Sequence, residues 1–345
     1  MSTFAREAAE AAAGARAQIA TCGPLFVELA ARLAARPPPV IITCARGSSD
    51  HAASYGKYVL ETTLRRVVAS IGPSVARSGG ASATATHRLE GVAGALVLVV
   101  SQSGESPDLL HTADVARASD AFVVGLINAP SSPLAASCDL VIPLCAGPET
   151  SVAATKTFLL ASLAFLQLAA AWSDAPSLHD AVDRLPDALD AARALDWSSA
   201  LAPLVPASTA YILGRGVSLG SAQEIALKLK ETCRLHAEPF STAELHHGPL
   251  ALVEPGFPIL ALGQDDTTAA TSRATIGKLV SLGARVATTL DVEGTTLLPT
   301  VPDVPAIAAP LCAVASFYAA LPSLCTVRGT DLDAPRHLTK VTRTR

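Results

Sequence analysis

The hydrophobic and polar positions of this chain alternate on the scale of whole elements. Short apolar runs recur, each followed by a polar turn and then by a helical stretch. The first run is V-I-I-T at 40–43, followed by C-A-R-G-S-S-D and a helical segment to about Glu61. A second strand is predicted at 67–71 and a third at 95–100, A-L-V-L-V-V. The third runs into S-Q-S-G-E-S-P-D at 101–108 and a helix over about 107–119. Further strands are predicted at 121–127 and 140–143. After a helical stretch over 155–196 the pattern starts again, with strands at 210–214, 258–262, 285–289 and 300–304, and helices at 221–235 and 308–321. Ahead of all this, 3–20 and 25–35 read as two Ala-rich helices that stop at Pro37-Pro38-Pro39.

Apolar strands alternating with helices imply parallel sheets covered on both faces. The two halves also echo each other. T-C-A-R-G-S-S and L-G-R-G-V-S each close a strand with a Gly/Ser turn, and L-V-V-S-Q-S-G-E-S and I-L-A-L-G-Q-D-D-T-T each end one with a polar turn. The expected fold class is α/β, built from two tandem doubly wound (flavodoxin-like) domains. The expected organisation is a helical segment at 1–36, a first domain at 37–165, a helical connector at 166–204, a second domain at 205–330 and a tail at 331–345.

Bulk properties narrow the picture. A chain of 345 residues exceeds what one core usually serves. Net charge is −4 and no block of Lys or Arg forms a basic face, which argues against nucleic acid as the partner; the basic end at 340–345 is too short to change that. Seven cysteines, an odd number without a C-x-x-C, read as reduced thiols of a cytoplasmic protein and not as a disulfide framework or zinc site. The N-terminus lacks the apolar block of a signal peptide. The most apolar stretch, 157–172, is shorter than the roughly 20 residues of a bilayer span and is read as a buried helix, so no membrane partner is expected.

The candidate chemistry starts in the loop at 101–108. Three serines, a glycine and then Ser106-Pro107 are more than a turn requires. Ser106 is a good N-cap and Pro107 suits the first helical position, so the loop feeds a helix N-terminus with free N–H groups and a positive dipole end. Ser101, Ser103 and Ser106 add neutral donors, and Gly104 lets the backbone come close. The loop therefore reads as an anion site. Gly47, Ser48 and Ser49 offer a second set of donors, although for Ser48 and Ser49 alone an ordinary strand-to-helix connection is the favoured reading. The turn after 258–262 carries Asp265 and Asp266 where the first loop has Ser103 and Gly104, and carboxylates repel phosphate.

A second cluster lies further on. S-A-Q-E at 221–224 has capping-box spacing, and Glu224, Lys228 and Glu231 fall at i, i+4 and i+7 on one helical face while Lys230 points elsewhere. Charges on an otherwise apolar helix suit the wall of a cleft, where a carboxylate can move a proton. His246 and His247 follow in H-H-G-P, where a histidine is more often a turn residue; they gain interest because they follow the charged helix closely and histidine is a residue type suited to proton transfer. Lys340, by position alone, reads as a solvated tail lysine.

Taken together, G-S-S (47–49), S-Q-S-G-E-S (101–106), E-T-S-V-A-A-T-K (149–156), G-R-G-x-x-x-x-x-A-x-E-x-A-L-K-L-K-E (214–231), H-A-E-P-F (236–240), E-L-H-H-G-P-L-A-L (244–252) and R-G-T-D-L-D-A-P-R-H-L-T-K (328–340) resemble the SIS (sugar isomerase) family. The likeness is greatest to the isomerase half of glutamine–fructose-6-phosphate aminotransferase and to stand-alone glucosamine-6-phosphate deaminases. The resemblance implies that Ser49, Ser101, Gln102, Ser103 and Ser106 bind a sugar phosphate beside Gly47 and Ser48, with Val152 and Thr339 lining the pocket. It further implies that Glu231 shuttles a proton between C1 and C2, supported by Lys228 and Glu224. His247 would open the sugar ring from across a homodimer interface, and Lys340 would sit beside the carbonyl. No metal or cofactor is implied. The N-terminal cysteine of a glutaminase is not matched, since residue 2 is Ser2 and the first cysteine is Cys22. The expected reaction is therefore conversion of glucosamine-6-phosphate to fructose-6-phosphate and ammonia. Alternatives are a galactosamine-6-phosphate deaminase, a fructosamine-6-phosphate deglycase, a synthase subunit served by a separate glutaminase, or a sugar-phosphate sensor.

Overall fold

A computed structural model of the chain describes residues 1–72, 74–75 and 88–340. The last five residues of the basic end, 341–345, lie outside the described residues. Two compact units are present. One holds Ala13–Glu149 and Lys156–Val182, with Thr339 and Lys340 of the C-terminal end; the other holds Met1–Ala12, Thr150–Thr155 and Asp183–Leu338.

The first unit is built on a five-stranded sheet of β1 (Ile41–Cys44), β2 (Val68–Ser70), β3 (Leu96–Ser101), β4 (Phe122–Ile127) and β5 (Leu140–Pro143). The strands are parallel, in the order β2-β1-β3-β4-β5. β1 and β3 are buried along their whole length, as apolar strands in a covered parallel sheet should be. Leu109, Ala113 and Ala116 of the helix Pro107–Ala118 pack on Val97, Val99, Val123 and Ile127 of the sheet. The helices Ser48–Leu64 and Lys156–Ser173 meet closely at Gly56, where a Cβ would lie 2.2 Å from the ring of Phe165.

The second unit repeats the plan with β6 (Thr209–Gly214), β7 (His236–Ser241), β8 (Pro258–Ala261), β9 (Arg285–Thr288) and β10 (Thr296–Leu297). Its order, β7-β6-β8-β9-β10, is the same permutation as in the first sheet, again all parallel. Both halves therefore wind from the first strand outward in the two directions expected of a doubly wound domain. The N-terminal helix Thr3–Ala9 belongs to this unit. Its Thr3 and Phe4 N–H groups donate to the Asp333 carboxylate at 2.7 and 3.0 Å, and the Phe4 ring meets Tyr318 edge-on at 5.4 Å.

Several local expectations are corrected. The N-terminal break falls at Glu10, and one helix runs over Ala11–Ala35 through Gly23-Pro24. Buried Cys22, Phe26, Leu29 and Leu33 hold both sides of Pro24 on the core, which outweighs one missing hydrogen bond. The stretch 155–196 is two helices, Lys156–Ser173 and Pro176–Arg193, separated at Asp174, whose φ is +51°. No strand forms at 300–304; Pro299 precedes the segment and Pro302 lies within it, both lacking donors, and the edge strand is Thr296–Leu297 instead. β7 was not expected from its polar composition, but an edge strand tolerates Pro239 and exposed His236 and Glu238. The last helix, Ala309–Arg328, continues through Pro322. Lys156–Ser173 and Ala309–Arg328 are long and apolar enough to cross a membrane, yet 83% and 72% of those windows are buried inside the protein. The seven cysteines are free thiols.

Candidate functional site

In the first unit, β1 and β3 are parallel neighbours, and the chain leaves them in opposite directions. Loops at such a switch point, beyond the carboxyl ends of the strands, are where open α/β sheets take ligands. Two helix starts meet there. Gly47, at φ +55°, is the N-cap of Ser48–Leu64, so Ser48 and Ser49 occupy its first turn. Ser106, in extended backbone, is the N-cap of Pro107–Ala118, with Pro107 at its start and no capping bond from its own hydroxyl. Between them the loop is shaped by its own side chains: Gly104 N–H donates to Ser101 Oγ at 2.9 Å and Glu105 N–H to Ser103 Oγ at 3.3 Å. Gly104 is required twice over, by its φ of +64° and because a Cβ would lie 2.0 Å from Ser132 Oγ. Gln102, Ser103, Ser106, Ser48 and Ser49 are all partly exposed.

The structure adds a charge that the motif reading missed. Arg46 donates through Nε and Nη2 to Asp108 Oδ2 at 3.0 and 2.8 Å, tying the loop after β1 to the first turn after β3. Arg46 remains half-exposed at the same end of the sheet. An arginine immediately before a Gly/Ser turn was the available signal.

The equivalent place in the second unit is closed by its own residues. Asp266 accepts from Thr268 N–H at 2.7 Å, Thr268 Oγ1 at 2.6 Å and Gln264 Nε2 at 2.7 Å. Gln264 also donates to the Arg215 carbonyl at 3.2 Å and bonds to the Ser218 hydroxyl. Asp266 thus supplies an internal anion where the first unit leaves its loop open; Asp265 points outward, 94% exposed.

The charged face lies on the helix Ser218–Cys233 of the second unit. This helix starts ahead of Ser221, so S-A-Q-E is not a capping box: the turn at Gly216, φ +59°, lets the helix begin directly after β6. Ser221 is inside the helix, and its buried hydroxyl has no partner among the described residues. The i, i+4, i+7 face is as expected. Lys228 Nζ lies 3.4 Å from Glu224 Oε1 and 2.6 Å from Glu231 Oε2. Lys228 and Glu224 have no exposed side-chain surface, while Glu231 keeps 17%. Tyr318, hidden in an apolar helix and so invisible to the sequence reading, donates its hydroxyl to Glu224 Oε1 at 2.7 Å. Burial alone would push the Lys228 amine down; the carboxylates of Glu224 and then Glu231 outweigh it and hold the amine above its ordinary value. The arrangement is a buried cation that orients one accessible carboxylate.

The other predicted residues divide between the units. Val152, partly exposed, lies in the Thr150–Thr155 segment of the second unit, which Glu7 holds: its carboxylate accepts from Thr150 N–H at 2.7 Å, Thr150 Oγ1 at 2.8 Å and Ser151 N–H at 3.1 Å. His247 is exposed at the end of the short 3-10 turn Glu244–His247, and His246 bonds Thr275 at 3.2 Å. Thr339 and Lys340 belong to the first unit, where Lys340 is no free tail residue: Nζ donates to Glu149 at 3.0 Å. Among the described residues no three His, Cys, Asp or Glu side chains converge to hold a metal ion.

Comparison with known proteins places this geometry. The SIS domain matches residues 37–171 and 204–297. A glutamine–fructose-6-phosphate aminotransferase (isomerizing) of Mycobacterium tuberculosis is 34% identical over 266 residues, covering 71% of this chain and 43% of that protein. The chain spans about half the length of the curated relatives it matches. A crystal structure from Silicibacter pomeroyi DSS-3, provisionally assigned as a phosphosugar isomerase, superposes with a TM-score of 0.90 at 38% identity, covering 96% of this chain and all of that one. A glucosamine-6-phosphate deaminase from Thermotoga maritima shares the fold at a TM-score of 0.77 and 21% identity, over 99% of this chain and 100% of that one. With the same domain matched over each five-stranded sheet, the chain belongs to the SIS domain family.

Proposed function

We propose that this chain is an aldose–ketose isomerase acting on an amino-sugar phosphate, converting glucosamine-6-phosphate and water to fructose-6-phosphate and ammonia. The observation that carries the reading is Glu231: a carboxylate with an open edge, held at 2.6 Å by a fully buried ammonium. That group suits proton transfer, because its direction is set before substrate arrives. In the proposed course, the loop at 101–106 with Gly47, Ser48 and Ser49 anchors the phosphate, and His247, contributed by a second copy of the chain, opens the ring. Glu231 takes the proton from C2 and returns it to C1. The amine-bearing C2 becomes an imine, and water hydrolyses it to the ketone with release of ammonia. Lys340 stands by the carbonyl, while Val152 and Thr339 line the pocket. The curated relatives, named for isomerisation coupled to amino transfer, support the class of substrate.

The test is ammonia release and fructose-6-phosphate formation by purified protein supplied with glucosamine-6-phosphate and no glutamine. Wild type turns over, and Glu231→Gln is slower by about a hundredfold or more. A variant as active as wild type removes Glu231 from the chemistry. A wild type inert on this substrate removes the substrate, and galactosamine-6-phosphate and fructosamine-6-phosphates are then assayed.

A further inference from the structure

Glu149 opens E-T-S-V-A-A-T-K, and nothing in its sequence position assigns it a task. Its side chain is completely shielded from solvent. A carboxylate is costly to bury unless donors and an opposite charge surround it. Here both are present. Oε1 accepts the Thr157 backbone N–H at 3.1 Å, in the first turn of the helix Lys156–Ser173, where the dipole favours an anion. Oε2 accepts the Thr157 hydroxyl at 2.7 Å and the Lys340 ammonium at 3.0 Å. Thr157 fixes the carboxylate to a rigid helix, and the carboxylate in turn fixes the amine. Lys340 keeps 23% of its side-chain surface, so the amine is held without being shut away. A lysine near a chain end, with four rotatable bonds and no such partner, would be spread over many positions.

We propose that Glu149 is the positioning residue for Lys340, holding its amine at a fixed point of the first unit. The consequence for turnover rests on the function proposed above; the hold on the amine does not. Wild type and Glu149→Gln are pulsed with acetic anhydride, and acetylation of Lys340 is read by peptide mass spectrometry against exposed Lys230 of the same molecule. Gln keeps an acceptor for Thr157 but loses the charge that faces the amine. Acylation needs an amine free to meet the reagent, and Lys340 is held against Glu149 while Lys230 is exposed, so Lys340 should label more slowly than Lys230 in wild type and at least about fivefold faster in Glu149→Gln. With glucosamine-6-phosphate, kcat should fall at least about tenfold in Glu149→Gln while KM hardly moves, because the phosphate loop is untouched.

Unchanged labelling of Lys340 in the variant overturns the proposal; faster labelling with full turnover upholds the hold on the amine and overturns its consequence for turnover. If wild type turns over no amino-sugar phosphate, the reaction assignment fails on its own, and the labelling comparison still decides whether Glu149 governs the amine. If Glu149→Gln does not fold, Thr157→Val takes its place: it loses the hydroxyl that steers Oε2, and Lys340 must label faster there for the proposal to stand.

Discussion

At the residue scale, Lys228 has the largest consequences. It is a buried cation between two carboxylates, so its removal takes the neighbouring ammonium from Glu224, whose side chain is fully buried. Lys228→Met should cost about 3–5 kcal/mol of stability, read by urea unfolding, because half of a buried ion pair is worse than none. The sign of the pH dependence follows from the raised amine. A base whose folded-state pKa lies above its ordinary 10.5 contributes in full below that pH, and the contribution fades as pH rises through the folded value. The wild-type protein should therefore lose this part of its stability only above pH 10.5. A loss absent from Lys228→Met but already complete at neutral pH in wild type would contradict the pairing. The spacing of Glu224, Lys228 and Glu231 was readable because one helix carries all three; Tyr318, which completes the group, comes from another helix and left no pattern.

At the element scale, the N-terminal helix Thr3–Ala9 acts as a clasp. Asp333 satisfies its first N–H groups, which would otherwise lack partners, and Glu7 leaves its other side to satisfy Thr150 and Ser151. Its sequence, T-F-A-R-E-A-A, announces a helix and nothing more. Glu7→Gln should cost about 1.5–3 kcal/mol, the range for hydrogen bonds to a charged group, read as a lower urea midpoint. Amide exchange over 150–155, the segment that carries Val152, should quicken in the same variant. Unchanged exchange there would show that the segment holds its shape without the helix.

At the scale of the whole molecule, two sheets of the same strand order differ in what fills their switch points. One loop is lined by Ser101, Ser103 and Ser106 with Arg46 nearby; the other is satisfied by Asp266. Inorganic phosphate should then slow amide exchange at 101–106 and leave 263–268 unaffected, and Asp266→Asn should not change the phosphate affinity measured by calorimetry. Protection of the second loop in wild type would overturn the distinction. Sequence already separated the loops, since a carboxylate in one and hydroxyls in the other are properties of single residues. It did not show that Asp266 takes over the anion's donors, because that depends on where Gln264 and Thr268 are folded.

What the sequence by itself determined is whatever is local. Alternation of apolar runs and helices set two parallel α/β domains, eight consecutive residues set the serine-rich loop, and a seven-residue spacing set the charged face. The physical reason is that strand, turn and helix geometry repeat over a few residues, so a short window holds the whole signal. The tertiary structure decided what joins distant residues: Glu149 with Lys340 across 191 positions, Glu7 with Thr150 across 143, Tyr318 with Glu224 across 94 and Arg46 with Asp108 across 62. Strand order brings Arg46 to Asp108 and helix packing brings Tyr318 to Glu224, while Glu149 and Thr150 lie in irregular chain after β5 and meet their partners only through the path of the folded chain. No periodicity along the chain records that order, and so a buried carboxylate and its amine become a pair only once the chain is folded.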